Sequence, residues 1–123
     1  MVSLILIVED DGDIREDLAD ILRNEGYEVL TASNGQEACD RLRSPSALPD
    51  LILLDLMMPI MDGWQFRAEQ LKDASLAQIP VIVLSGAVDV RKEAAALGAA
   101  GYASKPFKLD VLLSMIRQSC LAP

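Results

Sequence analysis

The 123-residue chain contains no histidine, only two cysteines, and few aromatic residues at 4%. Without histidine, a Ser-His-Asp triad and a His-ligated zinc site are both excluded. Cys39 and Cys120 are far apart and form no CxxC pair, so they read as reduced thiols on helices. With so few aromatics the core has to be aliphatic. Basic residues are also scarce: 11 Lys and Arg stand against 19 Asp and Glu, for a formal charge of −8. A duplex-binding surface is normally basic, so direct nucleic-acid binding is not expected. An acidic chain suits a divalent cation or a basic partner surface. No apolar run is long enough to span a bilayer, so no membrane insertion is expected. The N-terminus lacks a basic segment, and its short apolar stretch ends at Glu9, Asp10 and Asp11. No leader is read there, and the expected location is cytoplasmic.

What is present is 51% apolar residues, arranged as short aliphatic runs alternating with amphipathic stretches. One domain of 1–123 fits this length. Leu4 to Val8 is a continuous run, as in a strand buried on both faces. A helix follows from about Asp13 to Asn24, with Ile14, Leu18, Ile21 and Leu22 on one stripe. Gly26 ends it. Tyr27 to Thr31 is a second strand, and Asn34-Gly35 opens a helix to about Arg43 that Pro45 and Pro49 break. Asp50 to Leu54 is a third strand ending at Asp55, after which Met58-Pro59 forces a loop. Asp62 caps a third helix to about Asp73. Val81 to Leu84 is strand four, about Val88 to Leu97 helix four, about Gly101 to Ser104 strand five, and about Lys108 to Ser119 helix five. On that last helix Leu109, Leu112, Leu113 and Ile116 form a core stripe, while Val111 and Met115 fall on other faces. These two favour a partner surface slightly over scattered exposed apolars. Strict alternation predicts an α/β fold, a parallel sheet with helices on both faces joined by right-handed crossovers.

In such sheets, ligands bind beyond the carboxyl ends of the strands. Glu9, Asp10 and Asp11 follow strand one, Asp55 strand three, Ser85 strand four and Lys105 strand five. Converging carboxylates repel one another unless a cation intervenes. Oxygen donors without His or Cys suit Mg²⁺, with Mn²⁺ as the second choice. A carboxylate can itself be a nucleophile that forms an aspartyl-phosphate. Cation, ammonium, hydroxyl and backbone N–H groups would then neutralise the equatorial phosphoryl oxygens. Asp11 and Asp13 read as acids favourable at a helix N-terminus rather than as metal ligands.

The segments ILIVEDD, LILLDLMMPIMDGW, VIVLSGA and GYASKPF, in this order, resemble the response-regulator receiver family of two-component signalling over essentially the whole chain. The resemblance implies a single-domain, doubly wound, flavodoxin-like sheet of five parallel strands in the order 2-1-3-4-5 with five helices. It implies that Asp55 is the phosphoacceptor and that Asp10 is a direct Mg²⁺ ligand, with Glu9 acting through water. Asp55 and the backbone carbonyl of Met57 complete the metal set. Lys105 pairs with phosphoryl oxygens, Ser85 is the switch hydroxyl and Tyr102 the switch aromatic. Tyr102 also reads simply as a half-buried strand aromatic. The Lys105-Pro106 bond is expected to be cis.

A sensor histidine kinase or a histidine phosphotransfer protein is the implied donor. An output partner at the face of helix four, strand five and helix five is implied too, and a second copy of the chain is a candidate partner. The chain would be a phosphorelay switch that catalyses only its own phosphorylation and dephosphorylation, not an enzyme with a metabolite substrate. Two other readings carry less support. An aspartyl-phosphate phosphatase or mutase would have a second acid two residues after the nucleophile, where this chain has Met57. A module that has lost phosphorylation would not need the set Asp10, Asp55, Ser85 and Lys105. Gly86 stands where Ala is usual, and the interval from Ser85 to Lys105 is short, so helix four is expected to be truncated or shifted. No effector region is read after helix five. A stand-alone regulator and a receiver cut from a longer protein stay equally open.

Overall fold

The five aliphatic runs form one parallel sheet in the computed structural model, which describes residues 3–44, 48–86 and 89–120. The strands are β1 (Leu4–Val8), β2 (Glu28–Ala32), β3 (Leu51–Asp55), β4 (Val81–Ser85) and β5 (Gly101–Ser104), in the order β2-β1-β3-β4-β5. Leu6 pairs with both Leu30 and Ile52, and Leu54 with both Val8 and Val83. β3 and β4 are buried along their whole length, which explains why they read as unbroken aliphatic runs rather than alternating ones. The sheet order reverses direction between β1 and β3. A crevice therefore opens where their carboxyl ends part company.

Alternate strand residues face opposite layers. Leu6, Val8, Ile52, Leu54 and Val83 join Phe66, Ala38 and Val90 on one side. Ile5, Ile7, Leu53, Leu84 and Ile82 join Leu18, Leu22, Leu112 and Ile116 on the other. The helices are α1 (Gly12–Asn24), α2 (Gly35–Arg43), α3 (Gly63–Leu71), α4 (Ala74–Ala77), α5 (Val90–Ala96) and α6 (Leu109–Ser119). α2, α3 and α5 cover the first layer, and α1 and α6 cover the second.

Side-chain caps start every helix but α6. Asp11 caps α1 by accepting from the N–H groups of Asp13 and Ile14, and Asn34 caps α2 through Glu37. Asp62 and Gln65 form a capping box at α3. One helix more is present than the alternation predicts. Asp73 does not prolong α3: its carboxylate accepts from the Ser75 N–H at 2.9 Å and caps the single turn α4. The expected fourth and fifth helices are thus α5 and α6. α5 is short at seven residues, as the abbreviated interval implied. Pro45, Ala87 and Val88, used in the sequence reading, lie outside the described residues. Leu109 is a correction: it opens α6 from the first turn and is 40% exposed, so the core stripe begins at Leu112. Val111 is exposed, while Met115 packs on the core.

One feature of the packing bears directly on the strand ends. A Cβ at Gly63 would lie 2.6 Å from the Asp55 carbonyl oxygen and 2.7 Å from Leu56 Cα. Glycine here lets the start of α3 close onto the end of β3, with the Gly63 N–H donating to the Leu56 carbonyl at 3.0 Å. Gly63→Ala is expected to cost about 1–3 kcal/mol through overpacking against backbone that cannot swing aside. Urea unfolding checks this, and an unchanged midpoint would contradict the close approach.

Candidate functional site

Three strand ends deliver the acidic groups and the ammonium to one crevice. Backbone pairing continues past β1, since the Glu9 N–H donates to the Ala32 carbonyl at 3.0 Å. That pairing points the Glu9 side chain inward, where it is fully buried, and leaves Asp10 exposed. Asp55, the last residue of β3, is 4% exposed. β5 runs directly into Lys105, whose N–H donates to the Ser85 carbonyl at 2.8 Å. This bond holds Lys105 beside the end of β4. The Lys105-Pro106 peptide is cis.

Glu9, Asp10 and Asp55 each place a carboxylate oxygen within 4.8 Å of the others. The Lys105 ammonium is 3.4 Å from Asp55 Oδ2 and bonds Glu9 Oε1 directly. Glu9 Oε2 is buried with no hydrogen-bond partner, an orphaned acceptor that a hydrated cation would satisfy. Asp10, Asp11, Asp55, Met57, Gly86 and Lys105 line an open cleft of about 540 Å³ over this cluster. An all-oxygen donor set of this kind fits Mg²⁺ or Mn²⁺.

Two buried carboxyl groups share one ammonium, and the electrostatics follow from that shortage. Burial pushes the Glu9 carboxyl up to about 8, helped by its hydrogen bond and charge repulsion with Asp55 and opposed by Lys105. Burial pulls Lys105 downward, but the bonds and charges of Glu9 and Asp55 outweigh it and hold the ammonium above its ordinary value. Glu9 thus holds its proton into the neutral range, and Lys105 stays charged.

The residues expected just beyond the strand ends lie on this edge of the sheet. Glu9, Asp10, Asp55 and Lys105 are brought together. Ser85, 1% exposed, ends β4 one position beyond Leu84, which pairs with Asp55. Met57 is 76% exposed and lines the cleft, and its N–H lies 3.5 Å from Asp55 Oδ1. Tyr102 stands apart: it is on β5 opposite Val83, exposed, in a shallow cavity with Pro106, Phe107 and Val111. Asp11 is both a cap and a cleft residue. Sequence reasoning missed Arg15, whose Nη1 donates to the Glu9 carbonyl at 2.8 Å and braces the first strand end. No spacing rule marks that pair, because the contact spans a strand–helix turn.

Comparison with known proteins agrees with this geometry. The family model described as "Response regulator receiver domain" matches residues 5–117. The response regulator MprA of Mycolicibacterium vanbaalenii is 39% identical over 115 residues, covering 92% of this chain and 48% of MprA. The chain spans about half the length of the curated relatives it matches. A receiver domain of a signal transduction histidine kinase from Syntrophus aciditrophicus is 36% identical, with a TM-score of 0.86 over 98% of this chain and 91% of that one. The response regulator TrrA of Thermotoga maritima, solved in complex with Mg²⁺-BeF, is 32% identical, with a TM-score of 0.83 over 96% and 99%.

Because folding raises the Glu9 value, the folded chain binds that proton more tightly than the unfolded one. Its contribution is complete below 4.5 and is lost as pH rises toward about 8. In magnesium-free buffer, unfolding free energy is expected to fall across this window more steeply in the parent than in Glu9→Gln. Equal slopes in the two proteins would refute the assignment.

Proposed function

The chain belongs to the response regulator receiver domain family, and on that premise we propose that Asp55 accepts a phosphoryl group from a histidine-phosphorylated donor and so switches an output surface. The observation that carries this reading is the buried Asp55 carboxylate, 3.4 Å from the Lys105 ammonium, at the floor of an open cleft with two further acids. An Asp55 oxygen forms the new P–O bond as the donor's P–N bond breaks, and the departing imidazole takes a proton from solvent. The transferring group carries its charge on equatorial oxygens, so positioning and neutralisation are what the protein supplies. Lys105 contributes the fixed positive charge. Ser85, at the adjoining strand end, supplies the hydroxyl that bonds the phosphoryl group.

Glu9, Asp10, Asp55 and the Met57 carbonyl would hold Mg²⁺ or Mn²⁺, which when bound neutralises charge on the phosphoryl oxygens. The positive charge of the cation would also oppose the burial and the Asp55 repulsion that raise the Glu9 carboxyl. Residues 1–123 then act as one receiver domain. A sensor histidine kinase or phosphotransfer protein supplies the phosphoryl group, and the face of α5, β5 and α6, with Tyr102 exposed on it, meets the output partner or a second copy. The chain turns over no metabolite; it catalyses only its own phosphorylation and its decay. The cytoplasm, where such kinases present their phosphohistidine, is the corresponding location.

With acetyl phosphate and Mg²⁺, intact mass is expected to rise by one phosphoryl group, accompanied by a change in Trp64 fluorescence. Asp55→Asn or removal of Mg²⁺ should abolish both. A folded, Mg²⁺-bound parent that gains no mass from acetyl phosphate or from any phosphorylated histidine donor would defeat the proposal. The apolar Met57 side chain cannot orient an attacking water, so the phosphorylated form should decay slowly. Met57→Asn is expected to shorten its lifetime several-fold, and equal decay rates would dismiss that role for Met57.

A further inference from the structure

Acids crowd the turn from β1 into α1: Asp10, Asp11, Asp13, Glu16 and Asp17 all lie within residues 10–17. Arg15 sits among them, yet among the described residues it forms an ion pair with none. Its Nη1 donates instead to the backbone carbonyl of Glu9, at 2.8 Å. A guanidinium surrounded by carboxylates that bonds a neutral carbonyl is placed for that carbonyl, not for surface charge balance.

The backbone of Arg15 serves the same turn. Its N–H donates to the Asp11 carbonyl at 2.9 Å. Arg15 therefore holds the carbonyls on both sides of Asp10, one through its side chain and one through its main chain. The Glu9 carbonyl and the Asp10 nitrogen belong to one planar peptide, so a bond to that oxygen fixes the plane that leads into Asp10. The Glu9 N–H, bonded to the Ala32 carbonyl at 3.0 Å, anchors the residue from the other side.

Asp10 has no other guide. It is exposed, and among the described residues its carboxylate has no hydrogen bond or ion pair of its own. An aspartate carboxylate stands one methylene from the main chain, so its aim follows the peptide that carries it. Arg15 does not line the cleft, although its neighbour Ile14 does.

We propose that Arg15 is a positioning residue for the cation site: by holding the Glu9 carbonyl it aims the Asp10 carboxylate and so sets the affinity of the acid cluster for Mg²⁺, touching neither the cation nor the phosphoryl group. This rests on the reading of Glu9, Asp10 and Asp55 as a divalent-cation site. Groups that orient a metal ligand from behind govern affinity nearly as strongly as the ligand does. Geometry and charge make opposite predictions here. A fixed positive charge repels a dication, so a guanidinium that acted only by its charge would weaken binding, and its removal would tighten it. A guanidinium that aims Asp10 strengthens binding, and its removal loosens it.

The test is a Mg²⁺ titration of the parent, Arg15→Met, Arg15→Gln and Arg15→Lys, read by Trp64 fluorescence and by the Mg²⁺ dependence of labelling with acetyl phosphate. Loss of the brace should raise the Mg²⁺ Kd about tenfold in the Met and Gln variants. Arg15→Lys, which still carries a cationic donor, should recover most of the affinity. The labelling rate at saturating Mg²⁺ should stay within about twofold of the parent in all variants, since only cation affinity has changed. Unchanged or tighter Mg²⁺ binding in Arg15→Met would overturn the proposal. So would a melting temperature that falls while the Mg²⁺ Kd stays put, because Arg15 would then be a brace of the fold alone. A saturating rate that drops along with the affinity would also overturn it, since Arg15 would then act on the transfer itself. If the parent responds to Mg²⁺ in neither readout, the cation-site reading fails first and the role of Arg15 falls with it.

Discussion

Two carboxyl groups buried at neighbouring strand ends, with one ammonium between them, set the terms for the rest of this structure. Glu9 and Asp55 are almost wholly removed from water, and Lys105 is the charged group that meets both. A buried charge is costly unless it is paired and hydrogen-bonded. Lys105 offsets part of that cost, and Glu9 meets the remainder by holding its proton. Were Glu9 ionised, the pair would be one positive charge short, and a divalent cation would supply what the proton now supplies. The burial that makes ionised Glu9 costly to the fold is also what makes the site receptive to a cation.

The sheet makes this arrangement possible by lining up three strand ends from distant parts of the chain. Reversal of strand order between β1 and β3 opens the crevice. Gly63 then lets α3 close over the end of β3, and the Lys105–Ser85 backbone bond sets β5 against β4. The aliphatic core on both faces supplies the rigidity: the residues leading into Glu9, Asp55 and Ser85 are fully buried or nearly so. Away from the site, buried Arg67 bonds the carbonyls of Leu97 and Gly98 and the side chain of Gln70, which ties α3 to the end of the short α5. The chain segment entering β5 is thereby held from a second direction.

The rim of the cleft follows a different logic from its floor. On the floor Lys105 meets both Glu9 and Asp55, and one buried Glu9 oxygen is left without a partner. Met57 on the rim faces solvent, and so does Ile60 three residues on, from a positive-φ turn. Strain that folding does not compensate is commonly found where a surface has to meet something.

Much of the fold was legible in the residues themselves. A strand buried on both faces must be aliphatic throughout, so β1, β3 and β4 stood out as LILIV, LILL and VIVL, and capping groups such as Asn34 and Asp62 marked helix starts locally. The strand-end rule placed Glu9, Asp10, Asp55, Ser85 and Lys105 on one edge before any contact was known. Other features leave no periodic mark or depend on what lies across space. Asp73 could end one helix or begin another, and its choice was settled by a local hydrogen bond with no periodic signature. Leu109 fits the apolar stripe of α6, yet the first turn lies outside the core. The pairing of Lys105 with Glu9, across 96 positions, the proton retained by Glu9 and the left-handed turn at Ile60 were decided by tertiary structure alone. Burial, charge proximity and the bond from the Gly35 N–H to the Met61 carbonyl exist only once the five strands are side by side.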